Sequence, residues 1–123
     1  ENITLNKNGC FDYMYVNDFS NIVENFIKVE PKHSTYNTST GKVIEFLTIV
    51  KIINDIDGRE LPIEIKQEGI NPEYSGDNSR FVEEFGSIKL TDPKISIKEL
   101  YNWYKLKSNL TFDDKLFDSW IKN

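Results

Sequence analysis

Cysteine and histidine each occur once in this 123-residue sequence. Cys10 has no second thiol for an internal disulfide, which leans toward a reducing compartment. Cys10 and His33 together fall short of the four-ligand set of a zinc site, so no tightly bound transition metal is expected. An activated thiol needs a base or cation beside it, and the sequence offers Cys10 neither. His33 stands next to Ser34 in a polar loop, but adjacent residues rarely take base-and-nucleophile geometry, and nothing supplies a third member. No apolar run approaches the roughly 20 residues that span a bilayer. The longest, Val43 to Ile53, is interrupted by Glu45, Thr48 and Lys51. Glycine-rich dinucleotide fingerprints are absent, and Thr40-Gly41-Lys42 lacks the upstream glycine and the following Ser/Thr of a phosphate loop. There is no internal repeat. These absences set the expectation of no catalytic residues, no cofactor and no enzymatic activity.

What is present suffices for a core. Hydrophobic residues make up 38%, aromatics 13% and charged residues 28%, which suits a single globular domain over residues 1–123. The chain opens on Glu1 rather than Met, so the compartment stands as an expectation only: cytoplasmic, with an exported mature domain as the alternative.

Charge is the strongest signal. Asp55, Asp57, Glu60, Glu64, Glu68, Glu73, Asp77, Glu83 and Glu84 face only Arg59, Lys66 and Arg80, a net of −6, whereas the whole chain carries −5. All other residues therefore sum to +1. Such a localised acidic field attracts basic partners and repels nucleic acid.

The pattern along the chain predicts an α+β domain with an antiparallel sheet. Ile3 to Leu5, the turn Asn8-Gly9 and the alternating Cys10 to Val16 read as an N-terminal hairpin, with Phe11, Tyr13 and Tyr15 on one face. Asp18 reads as the cap of a helix whose apolar stripe is Phe19, Ile22, Val23, Phe26 and Ile27, ended by Pro31. Lys42 to Asn54 alternates and reads as a central strand. It pairs, around the turn Asp57-Gly58, with Leu61 to Ile65, whose Pro62 places that second strand at an edge or a bulge. Gln67 to Ser79 reads as a long polar loop, Arg80 to Phe85 as a short helix stopped by Gly86, and Ser87 to Leu90 as a short strand. Two C-terminal helices open with capping-box patterns, Ser96 with Glu99 and Thr111 with Asp114. The first buries Ile97, Leu100, Tyr101 and Tyr104. Trp103 lies off that stripe and is assigned to core packing rather than to a ligand cage.

Asn54 to Glu60 briefly resembles a calcium loop, with Gly58 at the sixth position and Glu64 at the twelfth. Its first position would be Ile53, which cannot ligate, and turn chemistry explains Asp57-Gly58 better. Paired carboxylates such as Glu60 and Glu64 alternate with apolar residues, the pattern of solvated edge charges rather than of an acid/base pair.

The first functional expectation is accordingly a protein-binding inhibitor of the immunity or antitoxin type. Its acidic surface would neutralise a basic, nuclease-like partner, with no direct nucleic-acid contact. The partner-facing residues would be the nine carboxylates named above, with Tyr74 as aromatic anchor. The second is a small-ligand-binding or enzymatic α+β domain, with an apolar pocket between helix and sheet lined by Tyr13, Tyr15 and Phe46. The third is a structural subunit of a larger assembly.

Overall fold

A computed structural model describes residues 2–107. Ile3–Phe11 forms a single strand, β1, that passes straight through Asn8-Gly9. The expected N-terminal hairpin is therefore not formed. Asn8 is buried: its side-chain oxygen accepts the Leu47 backbone N–H at 3.2 Å, and its amide donates to Glu45 at 3.3 Å. Gly9 is required for close approach, because a Cβ there would lie 2.8 Å from Cε2 of Phe11 and 3.3 Å from Cβ of Asn71. Long-range contacts thus override a local turn preference.

Helix α1 spans Val16–Lys28, with Tyr15 as an N-cap that makes no side-chain cap bond. Asp18 lies within the first turn instead of capping it. Its carboxylate accepts the Thr91 N–H at 2.9 Å and the Thr91 hydroxyl at 2.7 Å, tying α1 to the segment ahead of the last described helix.

The largest departure from expectation is residues 43–53. Only Ile44–Glu45 is strand (β2), and Phe46–Asp57 is helix α2. The β-branched content of this stretch argues for a strand. Its exposed polar residues Thr48, Lys51 and Asp55, however, recur at i, i+3 and i+7, a helical spacing, while Val50 and Ile52 are buried. Asp57-Gly58 is not a hairpin turn. Gly58 sits at φ +74° as a left-handed C-cap, its N–H donating to the Asn54 carbonyl at 2.8 Å.

Ile63–Tyr74 forms the twelve-residue strand β3, which absorbs much of the segment read as a loop. It pairs with β1 in parallel, Ile3 opposite Ile63 and Phe11 opposite Tyr74, with register shifts after Lys7 and after Gly9. β2 pairs with the other edge of β1 in antiparallel fashion, Cys10 opposite Glu45. The order β2-β1-β3 is a mixed three-stranded sheet, which overturns the expected antiparallel sheet of two hairpins. β3 is one of its two edge strands, and Pro62, just ahead of it, contributes only a carbonyl, to the Ile3 N–H at 2.9 Å.

Helix α3 spans Ser79–Phe85 and α4 spans Pro93–Leu106. The cap of α4 is Asp92, which accepts the Lys94 N–H at 2.8 Å with Pro93 at the first helical position, so Ser96 is interior. No strand forms at Ser87 to Leu90. The helix expected at Thr111 to Ile121 lies outside the described residues. The buried apolar side chains among the described residues are Ile22, Val50, Ile52 and Phe81. Phe81 anchors an aromatic cluster with Phe26 and Phe85, whose ring centroids lie 5.8 and 5.0 Å away, and Tyr36 closes it at 5.3 Å from Phe26. No helix among the described residues is long and apolar enough to cross a membrane.

Candidate functional site

The acidic stretch is distributed over three elements and the two segments that connect them. Asp55 and Asp57 belong to α2; Glu60 follows it at φ +46°; Glu64, Glu68, Glu73 and Tyr74 lie on β3; Asp77 precedes α3; Glu83 and Glu84 lie on α3. Several of these carboxylates hold the fold together. Asp57 accepts hydrogen bonds from Arg59 and Tyr101, and so joins α2 to α4. Asp77 accepts from both the backbone N–H and the hydroxyl of Ser79 at the start of α3. Glu84 accepts the Lys32 N–H at 2.8 Å and the Tyr36 hydroxyl at 2.5 Å. Glu64 accepts the Asn2 amide at 2.9 Å.

These bonds shift titrations in a consistent direction. Hydrogen bonds from Arg59 and then from Tyr101 hold the Asp57 carboxyl below its ordinary value, and those from Ser79 do the same for Asp77. Burial pushes Glu84 upward, but the Tyr36 and Lys32 donors outweigh it and leave it lowered. The tyrosines move the other way: Tyr101 rises through its bond to Asp57, Tyr15 through its bond to Glu99, and Tyr36 through burial and its bond to Glu84. A lowered carboxylate stabilises the fold above its unfolded value and loses that contribution as pH falls through the folded value. A raised tyrosine loses its contribution as pH rises past 10.0. Denaturant midpoints are therefore expected to fall on both limbs, below about pH 4 and above about pH 10. Tyr36→Phe should flatten the alkaline limb. Midpoints measured across a pH series check this, and a profile level from pH 3 to 11 would remove these bonds from the account.

A second arrangement is chemically more suggestive. Phe11 stacks on Phe46 at 5.0 Å and 26°, Tyr13 lies 5.9 Å from Phe11 and 6.1 Å from Phe46, and Tyr74 lies 6.4 Å from Phe11. Parallel pairing of β1 with β3 brings Phe11 and Tyr74 together, and α2 supplies Phe46. Tyr13 and Tyr74 are 48% and 74% exposed, so this is an open platform rather than a core. Phe46 also borders an open cleft of about 410 Å³ lined by Thr4, Leu5, Asn6, Lys7, Gln67 and Asn71. An apolar ring, side-chain amides and one ammonium lining such a cleft suit a ligand with a flat ring and polar substituents.

Of the expected pocket residues, Tyr13 and Phe46 meet here, whereas Tyr15 is turned to α4, where it donates to Glu99. Helix α1 does not line the cleft. Phe11, Tyr74, Lys7, Gln67 and Asn71 join the site only through the β1–β3 register, for which no local pattern exists. His33 packs edge-on to Tyr36 at 5.7 Å. Trp103 is half exposed against Tyr104 at 5.1 Å, and Tyr104 is 57% exposed instead of buried. Among the described residues, no group of three or more His, Cys, Asp or Glu side chains is placed to hold a metal ion.

No protein-family model matches the chain, and no curated protein matches it. Among solved structures, it is similar to the crystal structure of the Bordetella bronchiseptica enzyme WbmH in complex with NAD+, with a TM-score of 0.63 at 19% identity. The likeness is one of fold. It covers 80% of this chain and 33% of that enzyme, so the chain spans about a third of the length of the structure it resembles.

Proposed function

We propose that this chain works as one part of a larger NAD-using enzyme, the part that holds the substrate rather than the dinucleotide. The carrying observation is uncovered apolar surface. Among the described residues four hydrophobic side chains are buried, while fifteen large ones are exposed, including Val16, Phe19, Val23 and Ile27 on α1 and Leu100, Trp103 and Tyr104 on α4. A self-sufficient domain scatters such residues singly; continuous runs of them mark surfaces that something else covers. The resemblance to a third of an NAD+-bound enzyme supports the same reading. In this reading the remainder holds the dinucleotide, because tight pyrophosphate contact uses a glycine-rich loop and this sequence carries no such fingerprint. The aromatic platform and its cleft would receive the ring-bearing portion of the substrate. The cytoplasm is the compartment this reading assigns, consistent with a lone unpaired cysteine.

The test compares the 123-residue chain with the polypeptide encoded by its intact reading frame. Calorimetric titration is expected to show NAD+ binding by the longer polypeptide and none by the chain alone. In the longer protein, Tyr13→Ala and Tyr74→Ala should each weaken substrate five- to tenfold, matching about 1 kcal/mol of lost ring contact, and leave NAD+ affinity unchanged. Absence of NAD+ binding by the longer polypeptide would overturn the reading.

The acidic-inhibitor reading is the second, favoured by one observation: Glu64, Glu68 and Glu73 are all exposed along the edge strand β3. A basic protein partner would meet that edge first, and its association would slow with salt.

A further inference from the structure

Strand β3 pairs with β1 along one edge, and among the described residues no strand covers its other edge. Glu64, Ile65, Lys66 and Gln67 are all exposed, Ile65 at 39%. The carbonyl of Pro62 accepts the Ile3 N–H at 2.9 Å and so points toward β1. Backbone groups alternate in direction along a strand, which leaves those of Ile63, Ile65 and Gln67 pointing to the open side. The stretch is regular: Ile63 to Gln67 pairs with Ile3 to Lys7 without a shift, and the irregularity comes only afterwards, where Gly69 takes φ +86°. An open row of N–H and C=O groups is a template for another strand, and charged side chains on an edge normally oppose such pairing. Here the charges select a partner.

We propose that this edge takes β3 of a second copy of the chain, antiparallel and centred on Ile65, so that one sheet runs through both molecules; the inference does not rest on the function proposed above. Charge and geometry decide the register. The alternation of the backbone groups requires a residue, not a peptide bond, on the twofold axis. With Glu64 or Lys66 on the axis, like charges stand face to face. With Ile63 or Gln67 there, the pairing runs off the start of the strand or into the irregular stretch at Gly69. With Ile65 there, each Glu64 lies directly opposite Lys66 of the other copy, in the non-hydrogen-bonded pairs whose side chains come closest. Ile65 then meets Ile65 and Ile63 meets Gln67, each pair exchanging both N–H···O bonds. Glu64 keeps its bond from Asn2 at 2.9 Å through one oxygen, which leaves the other for the ammonium. A foreign strand would need this same order of charges, whereas the chain supplies it itself.

Sedimentation over a concentration series reaching about 500 µM is expected to show a monomer–dimer equilibrium, for the 123-residue chain and for the polypeptide encoded by its intact reading frame alike. Glu64→Lys and Lys66→Glu should each raise the dissociation constant at least tenfold, because like charges then face each other twice. Combining the two substitutions in one chain should restore it to within threefold. The two single variants, mixed, should form a heterodimer although neither associates with itself. In a Cys10→Ser background, oxidation should link two copies through Ile65→Cys, whose Cα atoms would lie about 5.5 Å apart on the axis. It should not link them through Gln67→Cys, roughly 14 Å from its counterpart. Circular dichroism separates loss of pairing from loss of fold, and a charge reversal that unfolds is replaced by Glu64→Gln or Lys66→Gln, which should weaken the dimer about threefold. A monomer throughout the series, a dimer indifferent to both reversals, linkage through Gln67→Cys instead of Ile65→Cys, or a dimer of the chain that the longer polypeptide does not form would each overturn the inference.

Discussion

Replacing Phe81 by alanine is expected to lower unfolding stability by about 3–5 kcal/mol, a large share of the roughly 5–15 kcal/mol that holds a domain of this size. Phe81 is 2% exposed and is among the largest fully buried side chains of the described residues. Its ring meets Phe26 of α1 edge-on at 5.8 Å and Phe85 at 5.0 Å, and Tyr36 lies 5.6 Å from Phe85. Truncation removes the transfer energy of the ring and leaves a cavity walled by rigid aromatics, which collapse poorly. Phe81→Leu retains most of the volume and should cost about 1–1.5 kcal/mol. Ile27→Ala, on the outward face of α1 at 79% exposure, should change stability by less than about 0.5 kcal/mol in the same 123-residue chain. Urea denaturation followed by circular dichroism measures all three. If Ile27→Ala proved as damaging as Phe81→Ala, the division of the α1 stripe into a buried and an exposed edge would be wrong.

That division shows which information the sequence carries locally. The stripe of α1 was readable as a helix, but five apolar positions could not reveal that Ile22 and Phe26 turn inward while Phe19, Val23 and Ile27 stay exposed. Helix α3 was readable because Gly86 stops it, and α4 because its apolar residues repeat at helical spacing. The sheet departs from the local pattern because its determinants are distant. Asn8-Gly9 has turn chemistry, yet Asn8 is held by Leu47 and Glu45, and Gly9 yields its space to Phe11 and Asn71. Parallel pairing of Ile3 with Ile63 joins residues sixty positions apart and leaves no short-range signature. In α2 the β-branched content points to a strand, whereas the spacing of Thr48, Lys51 and Asp55 is helical.

The site was legible to the same extent. Phe11 and Tyr13 were assigned to one face of one strand, and they do form part of the platform. Tyr74 was named as an anchor within a loop, but it ends β3 beside Phe11. Seven of the nine acidic residues are exposed, and Asp57 and Glu84 are partly buried. Asp57, Asp77 and Glu84 are engaged by hydrogen bonds within the fold, so net charge along a sequence does not equal charge free to meet a partner.

Asp18 is the carboxylate outside that stretch with the greatest expected effect, about 2–4 kcal/mol on replacement by alanine. It is 4% exposed in the first turn of α1, where the positive end of the helix favours an anion. One oxygen accepts the Thr91 N–H at 2.9 Å and the other the Thr91 hydroxyl at 2.7 Å. Alanine removes both acceptors and leaves a backbone donor and a hydroxyl short of partners, which costs more than the two bonds were worth on balance. Asp18→Asn keeps the size but offers one acceptor in place of two and turns a donor toward a donor, so it should lose roughly half as much. Thr91→Val removes only the hydroxyl and should cost about 1 kcal/mol. In a double-mutant cycle, Asp18→Ala and Thr91→Val should fall short of additivity by at least about 0.5 kcal/mol, as contacting residues do. Because these bonds tie α1 to the lead-in of α4, limited proteolysis of Asp18→Ala should cut first near residues 86–92. Additive costs, or a loss below about 0.5 kcal/mol for Asp18→Ala, would show that the packing of Ile22 and Phe26, and not this buried carboxylate, holds the two segments together.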